Sequence, residues 1–550
     1  MAQTLMYLVI TSMHLSPAAR ARLYNQTISL VYYICTLTNN APSSDLADVF
    51  PCSPPLDLGK VQGDILAGGL PKKTETCYFF RINDAYVHEF RTQLGKLVPL
   101  ITSTAEVIND QRKQLAQNKK DAAEKKITPP HLKLSGVNIS FSTKGLKKMG
   151  ITDEIGDAAF DAGMLAGAKE LGDIGTSPSN GPFDPDWIPA FKQEIDGLIL
   201  ITGDSYATVA EKLAEIEKIL LVQARNPIIH EVIRLVGDVR SGKEKGHEHF
   251  GFQDGISNPA VTDVDANPNP GQQVVPQGII LLGRPGDAPT LGTPAAPVTR
   301  PHWALDGSFL SFRYLFQLVP EFNAFLKNNP IPITGLTREQ GSELLGARLV
   351  GRWKSGAPVD LAPLHDDPVL GQDPLRNNNF HYTFPDDQQT QTRCPFAAHL
   401  RKTNPRGDLD QFGPNALPPH RIIRSGIAFG PEVSAVEAAS EKTHLPRGLL
   451  FIAYQSNIEQ GFQFIQQSWS NTPKFPPRKP ANEIPGFDPI IGQTNDDGVR
   501  TLSGTDPNSQ TANLKLPKQW VVPKGGEYFF SPSIPALKER FALTEPSSEL

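Results

Sequence analysis

Segments that read as strands and segments that read as helices alternate along most of this chain, and they do so twice. Thr74–Ile82, Leu134–Phe141, Leu198–Thr202 and Ile228–Val236 are short, apolar and rich in β-branched or aromatic residues, so they read as strands. Ala85–Leu100 and Ser205–Leu221 carry apolar residues at helical spacing. Asn109–Lys126 is charged with little apolar face and reads as a solvated helix or loop. Past a Pro/Gly-rich stretch, Asp265–Val298, the pattern returns with strands at Gly278–Leu282, Phe309–Leu318, Arg421–Ala428 and Gly448–Ala453. Helices are expected at Glu321–Asn328, Arg338–Arg348 and Ile458–Gln467, and polar Gly356–Thr392 reads as an ordered loop. No strand leads into a glycine-rich phosphate loop, so the pattern points to an α+β architecture in two halves.

A chain of 550 residues is too long for one ordinary core, and the boundaries fall at 57–262 for the first half and 263–550 for the second. The 53 basic and 58 acidic residues give a net charge of −5, which provides no field for a polyanion and sets nucleic acid aside. Cys35, Cys52, Cys77 and Cys394 show no CxxC spacing and indicate neither a zinc knuckle nor a disulfide framework. Fifty prolines and 45 glycines imply long ordered loops, common in secreted proteins. Residues 1–56 read as a signal or propeptide: Leu5–Met13 is apolar, but no Lys or Arg precedes it, and a second apolar patch follows at Ile28–Cys35. Neither patch reaches the ~20 apolar residues of a membrane span. The expectation is an extracellular protein without one; Asn25 and Asn138 fit the glycosylation pattern.

Three local texts carry the chemistry: Gly251-Phe-Gln-Asp-Gly-Ile-Ser-Asn-Pro259, Cys394-Pro-Phe-Ala-Ala-His-Leu-Arg-Lys-Thr-Asn-Pro-Arg406 and His420-Arg-Ile-Ile-Arg-Ser-Gly426. Alone, the first is only a strong turn sequence. Together they resemble the dye-decolourising peroxidase family, and the resemblance extends to Val61-Gln-Gly-Asp-Ile-Leu66, Phe160-Asp-Ala-Gly-Met-Leu165 and Gly448-Leu-Leu-Phe-Ile-Ala-Tyr-Gln455, covering roughly residues 57–545. It implies two ferredoxin-like α+β halves with antiparallel sheets and haem b buried in the C-terminal half.

By that resemblance His399 binds the haem iron, through the neutral imidazole usual in peroxidases. His247 and His249 are rivals by spacing, since seven extended residues span ~23 Å. A ligand histidine needs a carboxylate on its other ring nitrogen, and Asp488 in Gly486-Phe-Asp-Pro489 is the candidate. Asp254 is expected to move the peroxide proton, and Arg424 to stabilise charge on the departing oxygen. A carboxylate base, unlike a histidine, still works in acid, so activity is expected to be best at acidic pH. Arg401 or Arg406 would pair with a haem propionate. Leu449 and Phe451 alternate in a strand and would line the pocket, and Gly251 and Gly255 would let the backbone turn sharply or approach the haem.

The reaction implied uses hydrogen peroxide to oxidise dyes, phenols and lignin-related aromatics by one-electron steps. Large substrates cannot reach a buried haem, so Trp469, with the polar neighbours Gln466-Gln-Ser-Trp-Ser-Asn471, is expected to be exposed and to relay electrons. Two other readings stay open: a non-catalytic haem carrier, which has no need of Asp254 with Arg424, and a metal-dependent hydrolase using His247 and His249.

Overall fold

The computed structural model describes residues 55–66, 68–123, 134–287, 299–383, 388–496 and 498–543. The apolar patches Leu5–Met13 and Ile28–Cys35, together with Asn25, Cys35 and Cys52, lie outside the described residues, as does most of the segment 1–56.

In the first half, β1 (Thr74–Ile82), α1 (Val87–Leu97), α2 (Thr104–Ala123), β2 (Ser135–Phe141), β3 (Gly197–Gly203), α3 (Tyr206–Ile219) and β4 (Ile229–Asp238) follow one another. The second half contributes β5 (Ser308–Gln317), α4 (Val319–Asn328), α5 (Arg338–Val350), α6 (His399–Thr403), β6 (Ile423–Arg424), β7 (Ile427–Phe429), β8 (Gly448–Gln455) and β9 (Val521–Ser531). These nine strands form one antiparallel sheet in the order β6-β8-β5-β9-β2-β3-β1-β4, with β7 also paired to β8. Each half has the ferredoxin-like strand order, the first strand flanked by the third and fourth, and the two join at the single pair Phe530 and Phe141. The free edges also meet: a Cβ on Gly237 of β4 would come within 2.3 Å of Ile427 Cγ2 in β7. Only a glycine allows that approach.

The core follows from the strand text. All of β1 but Arg81 is buried, and Phe79 packs edge-on against Phe191 and Phe312 at 5.2 and 4.8 Å and lies 6.1 Å from Phe529. Phe312 and Phe529 belong to β5 and β9, so one aromatic cluster ties both halves together. A second buried cluster, built on Phe322, Leu344, Leu345 and Trp520, packs α4 and α5 beside the sheet. Helix α5 begins at a capping box, in which Thr337 Oγ1 accepts from Gln340 N at 3.2 Å and Gln340 Oε1 from Thr337 N at 2.8 Å.

Three expectations fail. Gly278–Leu282 is not a strand: Pro276 and the positive-φ Gly283 and Gly286 fold the apolar run into a buried 3-10 turn, where Gly278 N donates to Pro285 O. Helix Ile458–Gln467 shrinks to Phe462–Phe464, followed by a π-helical turn at Ile465–Ser470. Asn138 is buried inside β2, where its amide donates to Thr102 O at 3.0 Å, so it is no glycan acceptor. Among the described residues Cys77 and Cys394 are buried free thiols, and no helix is long and apolar enough to cross a membrane.

Removing the shared ring tests the common core. Phe79→Ala is expected to cost about 3–5 kcal/mol in urea-induced unfolding; a loss under about 1 kcal/mol would contradict the packing described.

Candidate active site

A deep cavity lies beside β5, β6 and β8, with the segment that follows β4 as another wall. Asp254, His399, Arg424, Leu449, Phe451 and Gly255 all line it. Residues far apart in sequence are thus brought to one place.

Asp254 is delivered by a closed turn. Glu248 is the pin: its carboxylate accepts from Phe250 N and Phe252 N at 2.8 Å each and from Gln317 Nε2 at 2.5 Å. Asp254 N then donates to Gly246 O at 3.0 Å, and Gly255 continues at φ +82° with nothing within 4 Å of a Cβ built on it. The Asp254 Oδ1 atom accepts from Arg424 Nη1 and from Gly255 N, both at 2.6 Å. Burial pushes this carboxyl up, but the Arg424 charge and the two hydrogen bonds outweigh it and leave it below the usual Asp value.

Arg424 sits on the edge strand β6, and Asn258 fixes its backbone. The Asn258 amide donates to Arg424 O at 2.9 Å, and its oxygen accepts from Arg424 N at 3.1 Å. Asn258 is four residues past Asp254, so acid and guanidinium are held by one short stretch of chain. Composition carries no sign of this residue; the Asn-Pro turn text was its only visible signal.

His399 opens α6, and its ring is held from behind. Nδ1 lies 2.9 Å from Asp488 Oδ2, while Asp488 Oδ1 accepts from Ile490 N and Ile491 N at 2.8 and 3.0 Å. Burial disfavours the imidazolium, yet the fully buried Asp488 carboxylate outweighs that and raises the His399 pKa. Burial likewise pushes Asp488 up, but His399 and the two N–H groups bring it below the usual Asp value. With a proton fixed on Nδ1, Nε2 keeps its lone pair for a ligand bond.

Two arginines that the sequence reading left out also line the cavity. Arg421 donates to Ser257 O at 3.0 Å but has a buried Nε with no partner. Arg352 is held by the carbonyls of Gly356 and Asn377 at 2.9 and 2.5 Å. Neither has a carboxylate within salt-bridge distance, and burial together with neighbouring guanidinium charges pushes both down to about 9. An unpaired buried cation is costly, so this wall suits an anionic edge, while Leu315, Leu449, Phe451, Ile490 and Val521 suit an apolar disc. Haem b offers both, and His399 Nε2 is the donor its iron needs; the residues present fit the group.

Other expected roles do not fit the geometry. Arg401 is buried away from the cavity, paired to Asp408 at 2.6 and 2.8 Å, and Arg406 is spent on carbonyls and on the Phe380 ring. Arg421 and Arg352 line the cavity instead. His247 is half-buried on Lys245 O and Lys354 O, and His249 is buried on Phe429 O at 2.8 Å, so neither rival lines the cavity. Among the described residues no cluster of three or more His, Cys, Asp or Glu could hold a metal ion. Trp469 is only 3% exposed: the π-helical turn rotates it inward, stacked on Phe475 at 5.1 Å and edge-on to His420 at 5.0 Å. Its polar neighbours misled because Gln466 faces the cavity rather than solvent.

The family described as "DyP dimeric alpha+beta barrel domain" matches residues 60–241. Dye-decolorizing peroxidase msp1 of Mycetinis scorodonius is 44% identical over 514 residues, 90% of each chain. Among solved structures, an ancestral D-type dye-decolorizing peroxidase is 57% identical with a TM-score of 0.80, over 89% of this chain and 100% of its own. A dye-decolorizing peroxidase in complex with 2,6-dimethoxyphenol is 45% identical with a TM-score of 0.75, at the same coverage. With the strand order of both halves and a cavity that joins the three motif texts, these likenesses identify the chain as a member of the dye-decolourising peroxidase family, and as a peroxidase.

Proposed function

We propose that this peroxidase holds haem b in the large cavity, with His399 as the iron ligand and Asp254 and Arg424 acting on hydrogen peroxide. The observation that carries the reading is the 2.6 Å contact of Asp254 with Arg424 in the cavity that also exposes the free Nε2 of His399. Haem, when bound, supplies the iron that takes up the oxidising equivalents of peroxide. Arg421 and Arg352 would meet its propionates, and Asp488 would keep His399 electron-rich.

Asp254 performs the proton work. Both of its hydrogen bonds among the described residues end on Oδ1, and Oδ2 would accept the peroxide proton and return it to the departing oxygen. Arg424 keeps that carboxylate ionised and puts a permanent positive charge where negative charge develops. A non-catalytic haem carrier would have no use for such a pair. Phenols of the size of the one bound by the relative described above, and dyes, are the proposed electron donors. Secretion is proposed on the apolar Leu5–Met13 and the loop-rich composition.

Asp254→Asn tests the reading most simply. The variant should retain haem and its ferric spectrum, while the rate with peroxide in stopped flow falls about 10²–10⁴-fold; an unchanged rate would remove Asp254 from the mechanism.

The sign of the pH effect follows from the lowered pKa. A depressed Asp254 stays ionised, and peroxide turnover persists, until pH falls through that depressed value, below the usual ~3.9. Without Arg424, burial is left to push the carboxyl up. In Arg424→Leu the acid limb of the peroxide rate profile is therefore expected to move to higher pH, and an unmoved or lowered limb would contradict the coupling.

A further inference from the structure

Behind Arg424, on the side away from the cavity, lies a buried charged cluster that the chemistry above does not use. Asp64, from the Val61-Gln-Gly-Asp text, and Glu75, on β1, have fully buried side chains, and Lys72 between them is 11% exposed. Lys72 Nζ donates to both Glu75 oxygens at 3.2 Å and lies 3.6 Å from Asp64 Oδ1. Asp64 Oδ2 accepts from Tyr454 Oη at 3.0 Å, and Oδ1 from Leu70 N at 3.0 Å. Such clusters are expensive to bury and are retained where they fix a particular geometry.

The cluster meets the second half at Tyr454 and at Ser425, the neighbour of Arg424. Lys72 Nζ donates to Ser425 O at 2.7 Å, and Ser425 Oγ donates to Asp64 Oδ1 at 2.8 Å. The approach is close on every side: a Cβ on Gly69 would meet Ser425 Oγ at 2.5 Å, and one on Gly426 would meet Leu450 O at 2.7 Å. Since Asn258 already holds the Arg424 N–H and C=O, the stretch 424–425 is clamped from both ends. Among the described residues Asp254 alone holds the far end of the Arg424 side chain, which is 32% exposed.

We propose that Asp64, Lys72 and Glu75 form a positioning device for Arg424, fixing the Arg424–Ser425 backbone so that the guanidinium meets Asp254. This assigns a role to the Val-Gln-Gly-Asp text and makes the first half part of the second half's active site. It rests on the reading of Arg424 given above. Burial pushes Glu75 up to about 7 against the opposing charge of Lys72, with Asp64 pushing it further. In acid the glutamate is therefore neutral. Cys77 and Tyr454, the other titratable groups facing the cluster, are pushed up by burial and stay uncharged.

The test is a double-mutant cycle on the haem-loaded protein with Lys72→Met, Arg424→Leu and the pair. Lys72→Met alone should lower the peroxide rate by about ten- to a hundredfold. It should shift the acid limb upward, in the direction expected for Arg424→Leu, and leave the KM for a reducing phenol unchanged. Adding it to Arg424→Leu should change neither rate nor limb further. Fluoride affinity of the ferric protein, read by absorbance titration, should fall with Lys72→Met only while Arg424 is present. Additive effects, or a Lys72→Met protein with an unmoved limb and unchanged fluoride affinity, overturn the proposal. If Arg424→Leu itself moves nothing, the reading of Arg424 fails instead. Should Lys72→Met not fold, Ser425→Ala, which removes the bond to Asp64 and keeps every charge, must show the same shifts at smaller size, and its failure to do so counts equally against the proposal.

Discussion

The contact between Asp254 and Arg424 spans 170 residues of sequence and joins the two halves of the molecule at its cavity. In isolation a half-exposed ion pair contributes little to stability. Its value lies in what it fixes: a carboxylate that the neighbouring guanidinium holds below its usual pKa, at the wall of the cavity. Much of the surrounding structure serves that geometry. Glu248 closes the turn that presents the acid, Asn258 ties the arginine to the same stretch of chain, and the sheet brings β4 and β6 into one molecule.

The opposite requirement governs His399. As the proposed iron ligand it would have to offer a lone pair, and its far nitrogen meets Asp488, itself anchored by two backbone N–H groups. The two carboxylates do different work because their partners differ. One faces an open cavity beside a permanent cation, and the other is sealed behind an imidazole. Arg421 and Arg352 add a third element, positive charge stored in a buried wall, which an anionic edge would make favourable.

How much of this could be read from sequence depended on whether local text determined the geometry. β1 was legible to the residue because continuous aromatic and β-branched text leaves a central strand little alternative. Asp254, His399, Arg424, Leu449 and Phe451 could be named because their motif texts are distinctive, and the cavity collects them all. β9 passed unnoticed: Pro523, Gly525 and Gly526 interrupt its pattern at a bulge, although it is the strand that joins the halves. Gly278–Leu282 showed the reverse, an apolar run that glycines bend into a turn. The arginines failed for another reason, since charge alone cannot tell a guanidinium already paired to Asp408 from one left waiting in a wall. Trp469 was misjudged because polar neighbours can face a cavity as well as water.

Haem titration of wild type and His399→Ala, followed by absorbance, tests the central claim most directly. The account predicts saturation at about one haem per chain with a high-spin ferric spectrum for wild type, and loss of that spectrum with much weaker binding for the variant. Equal affinity and an identical spectrum in the two proteins would contradict His399 as the ligand, and with it the arrangement of the whole site.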